Sequence, residues 1–149
     1  MSLCGFTPEF CNKIMEYIFT KKDIVLEECL YLGVGTSSLK DDPSSEPTDP
    51  DYERQPILRD EGKWIIQNGK AIYQVDRIEF PEATMPWGGG KLPVKYLGIY
   101  DKKDKETGKL LAHTELTTDK TIDTGETLAF KEDTIEFELV ETEINESNT

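Results

Sequence analysis

Histidine and cysteine are scarce in this sequence, which leaves little for thiol or imidazole chemistry. Among 149 residues there is one histidine, His113, and three cysteines, Cys4, Cys11 and Cys29. The cysteines are odd in number and their spacings fit no zinc-ligand pattern, which predicts reduced thiols and no zinc site. Cations are also in deficit. Lys plus Arg number 17 against 30 Asp plus Glu, so the net charge is −13 and the pI about 4.5. A nucleic-acid surface needs clustered cations to displace phosphate counterions, and an anionic membrane attracts the same groups. Neither nucleic acid nor membrane is an expected partner. No apolar run approaches the roughly 20 residues of a membrane span. The opening MSLCGFTPEF has no basic stretch followed by an apolar one, so no export signal is expected.

Catalytic motifs are missing too. There is no G-x-S-x-G elbow, and Gly88-Gly89-Gly90-Lys91 lacks phosphate-loop spacing. Asp101, Asp104 and Glu106 are interleaved with lysines and do not follow the calcium-loop register. His113 and Glu115 share one face of an alternating stretch, where they are expected to point outward. The expectation is therefore a protein with no cofactor, no metal and no enzymatic activity.

What is present begins with a helix. Thr7 can cap it, Pro8 suits its first position and Glu9 its positive end. Phe10, Cys11, Ile14, Met15, Ile18 and Phe19 recur at helical spacing. A helix this short is not stable alone, so that stripe should pack against the rest of the chain, with Cys11 buried in it.

Beyond residue 24 the pattern changes to short apolar runs or period two. Cys29–Val34 reads as a strand buried on both faces. The runs at 56–58, 63–67, 71–75, 77–80, 94–100, 110–116 and 127–130 follow, with Pro56 confined to a strand start or an edge strand. Asn68-Gly69 and Thr124-Gly125 are turn signals, and Gly108 is the expected left-handed residue of the charged tip 101–109. In the last run Ile135, Phe137 and Leu139 should face in and Glu136 and Glu138 out. The fold class is therefore mainly β. It is an antiparallel β-sandwich of six to eight short strands with one N-terminal α-helix. The expected organisation is a helix over 1–23, a sandwich over 24–140 and a disordered acidic tail over 141–149.

Three segments stand out as partner contacts: the terminal helix, the loop 35–53 and the loop around Trp87. The loop 35–53 carries Asp41, Asp42, Glu46, Asp49, Asp51 and Glu53 with no base between them. It is expected to be mobile in the free protein and ordered against a partner, so that deleting 40–49 would leave the thermal midpoint nearly unchanged. The loop around Met85-Pro86-Trp87 offers an aromatic anchor before three glycines. Trp64, alternating with Ile66, reads as core. Cys4 is a candidate for a bridge between subunits. Trp87, Met85, Asp41, Asp42, Glu46, Asp49, Asp51 and Cys4 are thus the candidate contact residues.

Several of these stretches carry a family resemblance. They are Ile78-Glu79-Phe80-Pro81-Glu82-Ala83-Thr84, Trp87-Gly88, Gly98-Ile99-Tyr100-Asp101 and Gly108-Lys109-Leu110-Leu111-Ala112-His113. Leu116-Thr117, Lys120, Gly125-Glu126-Thr127-Leu128-Ala129-Phe130 and Thr134-Ile135-Glu136-Phe137 follow in order. Together they resemble small bacteriophage virion proteins of the tail-fibre or tail-associated structural family. The resemblance implies a non-enzymatic virion component, made in the bacterial host cytoplasm and placed in the tail or neck. Its partners would be other phage virion proteins and copies of itself in a symmetric assembly. Capsid decoration, a head fibre and a carbohydrate-binding receptor module are the alternatives. The resemblance brings no catalytic or metal residues.

Overall fold

The computed structural model describes residues 5–74, 77–131 and 135–138. Within them lie ten strands, one α-helix and two short 3-10 turns. The strands and the α-helix are β1 (Gly5–Phe6), α1 (Pro8–Thr20), β2 (Cys29–Gly35), β3 (Gln55–Leu58), β4 (Trp64–Gln67) and β5 (Lys70–Tyr73). After them come β6 (Arg77–Glu79), β7 (Val94–Tyr100), β8 (Leu110–Lys120), β9 (Ala129–Lys131) and β10 (Ile135–Glu138). The strand count exceeds the six to eight expected because ladders such as β1, two residues long, leave no readable alternation. Cys4, Val75, Leu139 and the tail 141–149 lie outside the described residues.

Every strand pair is antiparallel. A five-stranded sheet runs β1-β8-β7-β2-β3, a three-stranded sheet β10-β5-β4, and a pair β6-β9. The fold is mainly β and sandwich-like. Register explains the core. Leu32 stands opposite Ile99 and Ile99 opposite Ala112, while Val34 stands opposite Leu97. These residues share one face and pack with Ile78, Phe80, Phe130, Ile135 and Phe137. The last strand keeps its expected register, with Ile135 and Phe137 buried and Glu138 exposed, while half-buried Glu136 meets Lys70 at 3.1 Å. The β4–β5 turn is closed by Asn68 and Gly69, both at positive φ. Trp64 is half-buried against the core, with its ring 4.8 Å from that of Tyr73.

The opposite face of the large sheet is covered as well, by the acidic loop. Gly33 and Gly98 stand opposite each other on that face. A Cβ on Gly33 would lie 2.9 Å from Glu46, and one on Gly98 2.9 Å from Leu39. Backbone without side chains thus lets the loop lie directly on the sheet. His113 pairs with Gly98 in the same row and is buried. The outward histidine expected from alternation is corrected for this reason: both faces of β8 are covered at this level. Gly108 is corrected too, since it is absent from the positive-φ glycines. Its role is clearance, because a Cβ there would sit 2.5 Å from the Arg54 guanidinium.

Candidate interaction surface

The N-terminal helix is fastened by its first turn. Thr7 Oγ1 accepts from the Phe10 amide at 3.3 Å and donates to the Leu110 carbonyl, while the Thr7 amide donates to Leu111. Phe6 of β1 meets Phe10 edge-on at 5.4 Å. After this anchorage the helix runs clear of the core. Phe10 is its one buried residue, and Cys11 and Ile14 are half-buried. Met15, Tyr17, Ile18 and Phe19 are exposed, Phe19 to 78%. The expectation that the whole apolar stripe packs on the sheet is corrected. The anchor sits at the N-terminal end, and only the first half of the stripe reaches β8. Lys21 ends the helix in the left-handed conformation and donates to the Glu16 carbonyl. The following segment adds Val25, 89% exposed.

The acidic loop is organised from within. Glu46 is buried, and its carboxylate accepts two hydrogen bonds from Arg54, at 2.6 and 3.0 Å, and one from the Tyr52 hydroxyl. Arg54 also donates to the carbonyls of Lys102 and Asp104 and lies 3.5 Å from the Tyr100 ring centre. Burial alone would lower the Arg54 pKa, but the bonds and charge of Glu46 reverse the effect and hold it up. Burial pushes the hydroxyls of Tyr52 and Tyr100 up, with the Glu46 charge adding to it. The pair thus ties the loop to the hairpin tip 101–109. Within that tip Asp101 accepts from the Lys109 amide and Asp104 from the Glu106 amide, so both carboxylates close the turn.

Asp49 is buried at a second anchor. It accepts from the Trp87 indole at 3.1 Å, from the amide and hydroxyl of Thr84, and from the Asp51 amide. Burial would raise its carboxyl pKa; these four donors outweigh burial and hold it well below the usual carboxylate range. Trp87 is 1% exposed, wedged edge-on against Tyr52 and Phe80.

These positions sort the sequence-derived contact residues. Trp87, Glu46 and Asp49 are internal, so they present no surface to a partner. The indole of Trp87 finds its acceptor inside the fold, and the two acids find their donors there. Asp41, Asp42, Asp51 and Met85 are exposed. Asp42 accepts from Ser44 and Ser37, which lower its pKa. Cys4 lies outside the described residues. The terminal helix, a candidate contact from the sequence, does present a surface, and the part it leaves open is its far end, Met15, Tyr17, Ile18 and Phe19.

The structure is thus a mainly β body with an apolar helix end left uncovered. The chain belongs to the family of the Podophage GP4 fiber I protein gp80, which matches residues 6–138. It is therefore a phage fibre structural protein, a component of the virion that meets other virion components. No curated protein matches the chain in sequence.

Proposed function

We propose that this chain is a non-enzymatic joint in the tail or neck of a tailed phage, holding fibre, collar or baseplate parts through the projecting half of α1. The observation that carries the reading is the uncovered run Met15, Tyr17, Ile18 and Phe19 on a helix anchored only at its start. A 13-residue helix gains little from propensity and needs tertiary contact along its length. A neighbouring virion protein supplies that contact in the assembled particle. The buried ionisable groups support a structural role, since Glu46, Arg54 and Asp49 are spent on fastening loops. The receptor-glycan reading is weakened at its two tryptophans, since Trp87 is buried and the Trp64 indole N–H is taken by the Leu58 carbonyl. Electron microscopy of particles carrying a tagged copy tests the placement. Density for the tag at the tail or neck supports it; density on the capsid surface or none on the particle overturns it.

A further inference from the structure

One edge of the five-stranded sheet is formed by β3 and by the stretch of β2 that runs on beyond it, and outward backbone groups along it find partners within the chain, mostly side chains. The Arg59 amide donates to the Glu28 carbonyl, which fixes the alternation along the pair. Residues 57 and 59 face β2, and residues 56 and 58 face away from the sheet. Pro56 has no N–H to offer there. The Leu58 amide donates to the Tyr73 hydroxyl at 3.2 Å, and the Leu58 carbonyl accepts from the Trp64 indole at 3.0 Å. Where β3 stops, the same row continues on β2. The Val34 amide donates to the Tyr52 hydroxyl at 3.0 Å, and the Thr36 amide to the Ser45 carbonyl.

An unpaired strand edge is a template for another chain. Here three aromatic side chains and a proline occupy that template. We propose that Tyr52, Tyr73 and Trp64 act as edge seals. They block strand addition along β2 and β3, so that copies held at high local density in a fibre do not fuse sheet to sheet. This rests on hydrogen bonds within the chain and stands whether or not the chain sits in the tail.

The test is sedimentation of the purified full chain beside the double variant Trp64→Phe, Tyr73→Phe, which keeps both rings and removes the indole N–H and the hydroxyl. The double variant should self-associate roughly tenfold more tightly than the parent, the scale of one or two new backbone hydrogen bonds. Adding Leu58→Pro to it deletes the exposed amide and should restore the parental state. A variant that merely loosens the fold would not be rescued by a further proline. If the double variant fails to fold, Tyr73→Phe alone carries the test, with the same reversal by Leu58→Pro. A folded variant that sediments like the parent, or association that Leu58→Pro leaves intact, overturns the proposal.

Discussion

Glu46 and Arg54 face each other as a two-pronged ion pair in which both side chains are almost wholly buried. Truncating one member leaves the other charge buried and unpaired, a loss of about 3–5 kcal/mol in such settings. Glu46→Ala is therefore expected to destabilise the chain on that scale in denaturant titration. Deleting 40–49 removes Glu46 and Asp49 together and should lower the thermal midpoint sharply, contrary to what the loop's composition implied. A loss below about 1 kcal/mol for Glu46→Ala, within the range of an ordinary surface change, would show that the pair does not hold the loop.

Asp49 gives the fold an acid sensitivity. Its folded pKa is depressed, so its contribution is fully present above the ordinary aspartate value of about 3.9 and is lost as pH falls below it. Asp49→Asn places an amide donor among four donors, since Trp87, Thr84 and Asp51 all donate here. The variant should be less stable at pH 7 and should lose less on acidification from pH 5 to pH 2. Parallel acid-melting curves for the two proteins would contradict this.

The core prediction concerns Phe137, buried on β10. Phe137→Ala is expected to cost about 3–5 kcal/mol. Ile66 on β4, 73% exposed, is the matched control, and Ile66→Ala should change stability by no more than about 0.5 kcal/mol. Equal losses at the two sites, read from urea midpoints, would contradict the register of β10.

Much of the fold was legible because its signals are local. Thr7-Pro8-Glu9 marks the start of α1, Asn68-Gly69 marks a turn, and the alternation of Ile135, Phe137 and their glutamates marks β10. Pro56 allowed a strand start or an edge strand, and β3 is an edge strand. What stayed hidden depends on contacts distant in sequence. Asp49 meets Thr84 and Trp87 across 35 and 38 positions, and Arg54 reaches Lys102 and Asp104 across 48 and 50. No composition rule separates an acid that will find such donors from Asp41, which stays exposed. The burial of His113 was hidden for the same reason, since it is set by neighbours distant in sequence, Gly5 of β1 and Gly98 of β7 pairing with it on either side. For α1 the periodicity was clear, but it does not state that the anchor lies at one end.

The exposed end of α1 bears the central claim. Truncating or charging one anchor of an interface costs about 2 kcal/mol or more, enough to lower occupancy by roughly tenfold or more. The decisive measurement is the number of copies per purified particle, by quantitative mass spectrometry, for the parent and for the variant Ile18→Asp, Phe19→Asp. Both residues are exposed in the free chain, so its melting temperature should barely move. The account predicts particles depleted of the variant at an unchanged melting temperature; full incorporation of a normally folded variant would contradict it.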